Sequence, residues 1–484
     1  MSEFIPKETR VDYHQHCLIR LPSEGTKLIE IRPNGIVKLG KFGTFSVDQI
    51  VGYPYGQSFE ILDGINVRPI EGSLVDNAPD ATETEGAVTE VEEEETSREA
   101  TPQFKSLSEK IDYLKKLDVK SSETNRNLVD IGSSTQELTQ EEIETLKVTA
   151  SGAAVGEAII DKLIKSHVNF GHKTKHSQQK YLRRKQQKFL RRFTVDYLGA
   201  EQLLQYYLEK DASRVLDMSD ESLALLLSLS NVQPGGRYLV VDETGGVVVS
   251  AMLERMRGSG EILVVHENEH VNHSALSYSN FSQDVLKRMV KTINFLQFFE
   301  PETERVNFEE LTEAELKDLK SNKKAHYYRR KQNAKDTNEA IDNALRGEFD
   351  GLIMATTLYI PTLLTKLEQY VAGSRPIVVY SQFKEVLVET QVQAMNDHNL
   401  LAPTLHESRC RPYQTILGRL HPLMSMKGGG GFLFSALRVL PLKEGVQAVG
   451  RGLSKKRKAE EDAMGSEEAS KKQATEDTKD EVME

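Results

Sequence analysis

Residues 237–267 constrain the fold of this chain more than any other stretch. Leu239–Val241 is an apolar run of the kind buried inside a sheet, and Gly245-Gly246 breaks it sharply. Val247–Met256 then carries apolar residues at helical spacing until Gly258 and Gly260 stop the helix, and Glu261-Ile-Leu-Val-Val-His-Glu267 reads as a second strand. A strand–turn–helix–strand unit places a tight turn and a helix N-terminus at the carboxyl ends of parallel strands, where open α/β sheets bind ligands. Gly245 and Gly246 are the glycines of that turn.

The 484 residues suggest roughly three domains and leave ample sequence for a large core. No run approaches the ~20 apolar residues of a membrane span, and Met-Ser-Glu-Phe-Ile-Pro-Lys at the start has no secretory apolar core. Cys17 and Cys410 are the only cysteines, which excludes a disulfide framework or a cysteine-rich zinc site and fits a reducing compartment. No metal site is expected. The net charge of −11 is concentrated in two places. Residues 76–100 hold ten acids and one arginine, and Leu453–Glu484 holds ten acids and seven bases. The remaining body is close to neutral, so the acidic total does not argue against a nucleic-acid surface.

The fold expectation is α/β, with a small N-terminal β-barrel. Residues 1–75 read as that β domain: Cys17–Leu21, Lys27–Ile31 and Ile36–Leu39 are short strands, and Pro33-Asn34-Gly35 is a hairpin signal between two of them. Residues 76–103 read as an acidic disordered linker. Residues 104–233 read as a helical, basic region, with Thr139-Gln-Glu-Glu142 resembling a capping box. Residues 234–452 form the α/β domain, with strands near Thr292–Leu296, Gly351–Met354, Pro376–Tyr380 and Phe432–Val439, a helix around Pro361–Val371 and a charged insertion at about 300–336. Residues 453–484 read as a disordered charged tail.

Three basic clusters stand out. Lys173–Arg192 contains nine Lys/Arg and no acid. Within it Lys180, Arg183, Arg184, Lys185, Lys188, Arg191 and Arg192 are candidate RNA contacts, because clustered bases bind phosphates through counterion release; a solvated helix face is the bland alternative. Lys323, Lys324, Arg329, Arg330 and Lys331, with Tyr327 and Tyr328 among them, form a second candidate, whose tyrosines could stack on bases or merely pack. Lys455-Lys456-Arg457-Lys458 has the composition of a nuclear localisation signal, placing the chain in the nucleus.

The unit at 237–267 resembles the cofactor-binding half of class I (Rossmann-like) S-adenosylmethionine-dependent methyltransferases. That turn has an acid followed by alternating glycines. Asp242 matches the acid and Gly246 the middle glycine, while Thr244 and Val248 stand in place of the outer glycines. β-Branched Val248 is expected to intrude on the cofactor. Glu267 ends the next strand, where an acid could accept hydrogen bonds from ribose hydroxyls or simply be solvated beside His266.

A narrower resemblance rests on Val51-Gly-Tyr-Pro-Tyr-Gly-Gln-Ser-Phe-Glu60, Asn127-Leu-Val-Asp130, Gln136-Glu-Leu-Thr-Gln140, Lys180-Tyr-Leu-Arg-Arg-Lys185, Asp350-Gly-Leu-Ile-Met354, Ser374–Tyr380 and Gly428–Leu433. Together these resemble the non-catalytic subunits of eukaryotic tRNA (adenine-N1)-methyltransferases. The resemblance implies a complex with a homologous catalytic subunit, two copies of each, that methylates N1 of a T-loop adenosine. It further implies that Ala355 stands where the catalytic paralogue has its aspartate, so that this chain has no catalytic residue, binds no cofactor and leaves S-adenosylmethionine to its partner. Two other readings compete: an active S-adenosylmethionine-dependent RNA methyltransferase with a divergent turn, and a general RNA-binding factor with no methyltransferase partner.

Overall fold

The computed structural model describes residues 9–70 and 154–441, except 24, 63, 168–169, 171–174, 313–315, 317–319, 417–418 and 425–428. The acidic stretch 76–103, the motifs at 127–140 and the basic run Lys455–Lys458 therefore lie outside the described residues.

Two sheets organise the chain. In the first, His16–Arg20 (β1) pairs antiparallel with Thr26–Glu30 (β2). Ile36–Lys38 (β3) and Thr44–Ser46 (β4) make a separate ribbon. Ser58–Ile61 (β5) pairs with Val67–Ile70 (β6). Arg192–Tyr197 (β7) joins the two hairpins, giving the order β2-β1-β7-β5-β6. The core beneath is aromatic: Phe193 stacks on Phe45 at 4.3 Å and on Phe59 at 5.6 Å between ring centroids.

This differs from the expected barrel of residues 1–75. Among the described residues the sheet is open, with β2 and β6 as its edges, and its central strand comes from the region expected to be helical. The Pro33-Asn34-Gly35 turn does not close a hairpin either. β2 and β3 do not pair; Asn34, at φ 58°, turns the chain out of one sheet and into the next ribbon.

Ahead of β7, Ala154–Lys165 (α1) and Lys175–Phe189 (α2) pack around Ile160, Ile164, Leu182 and Leu190. After it come Ala200–Lys210 (α3) and Asp220–Leu229 (α4), the latter capped by the Ser219 hydroxyl, which accepts from Ser222 N.

The second sheet is built from Arg237–Asp242 (β8), Glu261–His266 (β9), Val290–Asn294 (β10), Gly351–Ala355 (β11), Pro376–Ser381 (β12), Leu400–Glu407 (β13) and Phe432–Arg438 (β16), in the order β10-β9-β8-β11-β12-β16-β13. Tyr413–Ile416 (β14) and Arg419–Pro422 (β15) form a hairpin between β13 and β16 in sequence. β10 to β12 run parallel in this order, and β16 is antiparallel to both its neighbours. The sheet is mixed, with five parallel strands followed by antiparallel β16 and then β13 at the edge, in an α/β arrangement. Val247–Met256 (α5), Gln283–Met289 (α6), Phe295–Phe299 (α7), Ser321–Arg346 (α8), Ile360–Leu367 (α9) and Lys384–Met395 (α10) are its helices.

The central strands are apolar throughout because both faces are covered. Tyr238 and Val240 of β8 enter one core with Met252 and Ile353, while Leu239 and Val241 enter the other with Ile341 and Leu364. The expected insertion at 300–336 is in part an extension of a crossover helix. α8 buries Ala334, Ala340, Ile341 and Ala344 in its second half, and its first half is largely exposed. β13 was not legible because Pro403 interrupts it; the strand tolerates the proline at the sheet edge, with a register shift between Leu401 and Thr404.

Phe193→Ala removes the ring at the centre of the first core, and should cost about 3–5 kcal/mol. Ile36→Ala, at a site 59% exposed, should change stability by less than about 0.5 kcal/mol. Denaturant midpoints for the two variants check this.

Candidate functional site

The turn after β8 is closed by its own residues. The Asp242 carboxylate is buried. Its Oδ1 accepts from Thr244 N at 2.7 Å and from Thr244 Oγ1 at 2.5 Å, and its Oδ2 accepts from Val249 N at 3.2 Å. Thr244 Oγ1 in turn accepts from Val248 N at 3.3 Å. Burial pushes the Asp242 carboxyl above the usual range, against the pull of the Thr244 and Val249 donors. The first amides of α5 are the donors that would greet an anionic ligand at a helix N-terminus. Here two of them are engaged within the turn, Val248 N with Thr244 Oγ1 and Val249 N with Asp242 Oδ2.

The face of the turn is also covered. Gly245 O accepts from Ala275 N at 3.0 Å. Gly246, at φ 89°, lies so close to the next segment that a Cβ on it would meet His273 Cα at 3.1 Å. His273 is largely buried, its Nε2 has no partner, and burial pushes its imidazole down to about 4. Asn272–Ala275 thus occupies the space over the glycines. The residue expected to intrude, Val248, does not: its side chain is fully buried in the α/β core with Val240 and Met252. The 272–275 segment, not Val248, lies against the glycines.

The second altered loop sits beside the first. Ala355 lies opposite Asp242 on adjacent parallel strands, so positions far apart in sequence meet at one sheet end. Ala355 is fully buried, and its carbonyl accepts from Glu243 N at 2.9 Å. The Glu243 side chain ties down the loop that follows. Its Oε1 accepts from Thr356 Oγ1, and its Oε2 from Thr357 N and Thr357 Oγ1, each at 2.7 Å. A buried methyl neither accepts a proton nor orients a base. Glu267, one residue beyond β9, is exposed. A cleft of about 1210 Å³ opens elsewhere, between His14, Leu203, Leu223, Glu254 and Phe281, and none of Asp242, Thr244, Gly246, Glu267 or Ala355 lines it.

The basic candidates separate into exposed and committed groups. On α2, Lys180, Arg183, Arg184 and Lys188 are exposed. Lys185 is half-buried with its ammonium 4.9 Å from the Tyr181 ring centroid. Arg191 and Arg192 lie past the helix. Arg192 begins β7 and bonds the buried Glu60 carboxylate at 3.2 Å, which Arg68 also holds at 2.8 Å, so its charge is neutralised within the fold. On α8, Lys323, Arg329 and Arg330 are exposed, Lys324 is half-buried, and Lys331 pairs with Glu310 at 2.6 Å. Tyr327 packs against Phe308 and accepts from Leu311 N, whereas Tyr328 is 56% exposed.

Among the described residues, no group of three or more His, Cys, Asp or Glu could hold a metal ion. No helix among them is long and apolar enough to cross a membrane. Sequence reasoning missed Glu243, His273, Thr356 and Thr357. The two adjacent threonines after an apolar strand were the available signal, but their partner lies more than a hundred residues away.

The Gcd10p family model matches residues 10–323. The chain is 50% identical to the tRNA (adenine(58)-N(1))-methyltransferase non-catalytic subunit TRM6 of Debaryomyces hansenii, over 93% of this chain and 91% of that one. It is 46% identical to the protein of the same name from Kluyveromyces lactis, over 90% and 88%. Among solved structures, a SAM-dependent O-methyltransferase from Thermotoga maritima aligns with 8% identity and a TM-score of 0.46, over 92% of this chain and all of that one.

The buried His273 gives a pH test. Its imidazole titrates near 6.5 unfolded and near 4 folded. Between those values the unfolded chain binds the extra proton, so stability falls as pH drops through the window. At pH 5 the loss from this group is about 2 kcal/mol. His273→Gln should lose less stability than the parent chain between pH 7 and pH 5, read from urea midpoints at both.

Proposed function

This chain belongs to the Gcd10p family, and from that membership we propose that it is the non-catalytic, tRNA-binding subunit of a nuclear tRNA (adenine-N1)-methyltransferase. A homologous catalytic subunit, two copies beside two of this chain, methylates a T-loop adenosine. The observation that carries the non-catalytic reading is the closed turn. S-adenosylmethionine does not fit residues whose donors and free face are already committed to Asp242, Thr244 and Asn272–Ala275. Ala355, fully buried, stands where the resemblance sets the catalytic carboxylate, and loss of a positioned acid–base group typically costs about 10²–10⁴ in rate. An active enzyme with a divergent turn would require Asn272–Ala275 to leave and the Asp242 bonds to break.

The tRNA-binding part rests on the exposed face of α2. Lys180, Arg183, Arg184 and Lys188 project from a helix without acids, and α8 offers a second basic face through Lys323, Arg329 and Arg330. Nuclear residence rests on the basic run at Lys455–Lys458.

Methyl transfer to tRNA should be absent with the purified chain alone and appear when the catalytic partner is added. Activity of the single chain that Asp242→Ala abolishes would contradict the reading. In the assembled complex, reversing Arg183, Arg184 and Lys188 to glutamate should weaken different tRNAs alike. It should also flatten the slope of log K against log salt by about 3. Unchanged affinity and slope would make α2 a solvated face.

A further inference from the structure

The segment Asn272–Asn280 that covers the turn also reaches the N-terminal sheet. At one end Ala275 N donates to Gly245 O. In its middle, Arg214 Nη2 donates to Ser274 Oγ at 3.3 Å, and the same guanidinium lies 4.5 Å from the Tyr207 ring centroid of α3. At the far end the Asn280 amide grips the backbone of His16: His16 N donates to Asn280 Oδ1 at 2.8 Å, and Asn280 Nδ2 donates to His16 O at 3.1 Å. The Tyr278 ring meets the His16 ring edge-on at 5.6 Å.

Asn280 does the work of a missing strand residue. β7 pairs with β1 only from Cys17 onward, opposite Tyr197, so the peptide groups of His16 on that side have no β7 partner. A primary amide carries the same donor and acceptor as a peptide group and extends the ladder by one position. The sheet meets the α/β body along the covalent path from β7 into α3, where Ala200 N donates to Glu254 Oε1 at 2.9 Å, through Leu18 of β1, buried in the core that α3, α4 and α5 share, through Thr26 Oγ1 of β2 donating to Glu209 Oε2 of α3, and through this strut. The strut joins the start of β1 to the segment over the turn, a link the α3 contacts do not make. α2 ends three residues before β7 begins, so its basic face turns with that sheet.

We propose that Asn280 is a positioning residue for methylation: through His16 it fixes the angle of the N-terminal sheet and α2 against the α/β body, and so the angle at which bound tRNA meets the active site of the partner. This rests on the tRNA-binding subunit reading above. A misplacement of about 1 Å costs on the order of 10² in rate when reacting atoms must align, while phosphate contacts on α2 need no such alignment.

The test is steady-state methylation and tRNA binding by the full complex carrying Asn280→Ala. Expected is a fall in kcat of about tenfold at saturating tRNA, with tRNA affinity within about twofold, an unchanged salt slope and an unchanged KM for S-adenosylmethionine. Asn280→Asp keeps the acceptor for His16 N and should recover part of the loss. A wild-type kcat overturns the proposal, as does a defect confined to tRNA affinity. If Asn280→Ala does not assemble with the partner, Tyr278→Leu replaces it under the same criteria. Failure of the underlying reading would look different: the charge-reversed α2 variant would bind tRNA normally, whatever the kcat of Asn280→Ala.

Discussion

The carboxyl end of the second sheet is arranged around one buried carboxylate. A charge without water needs donors, and an unpaired one is among the costliest groups to bury. Asp242 finds its donors locally, in the backbone and hydroxyl of Thr244 and the amide of Val249. Satisfying that group internally engages the Val249 amide of α5, while Thr244, which donates to it, takes the Val248 amide. The rest follows from the same economy of polar groups. Glu243 is tied to Thr356 and Thr357, the Gly245 carbonyl to Ala275, and the segment that covers the glycines is left to reach the neighbouring sheet.

Local chemistry was well written in the sequence. The strand–turn–helix–strand unit at 237–267 and the strands at 351–354, 376–380 and 432–439 were legible because buried parallel strands are continuous apolar runs, which water-facing elements are not. The short N-terminal strands were legible for their β-branched content. What failed was pairing. Asn34-Gly35 looks like a hairpin, but whether its flanking strands pair depends on which edges the rest of the sheet leaves open. β7 was invisible because Arg192-Phe-Thr-Val-Asp-Tyr197 follows directly on a basic helix and completes a sheet begun over a hundred residues earlier.

The site was half legible. The expectation at Thr244 and Ala355 came from the resemblance, which sets a glycine and an aspartate at those places. The means of closure was not legible. Val248 was expected to block the turn because β-branched residues crowd it, yet the helix places that side chain in the core. The group against Gly246, His273, is an ordinary histidine until the fold brings it there. Charge clustering likewise located the basic helix but could not separate Arg192, neutralised by Glu60, from the exposed bases of α2.

The central claim is that this chain has filled its cofactor turn with its own residues. Equilibrium binding of S-adenosylmethionine to the purified chain, free of partner, tests it most directly. Titration calorimetry should show no saturable heat at cofactor concentrations up to about 1 mM, a binding free energy weaker than about −4 kcal/mol. A micromolar site that Asp242→Ala removes would contradict the account.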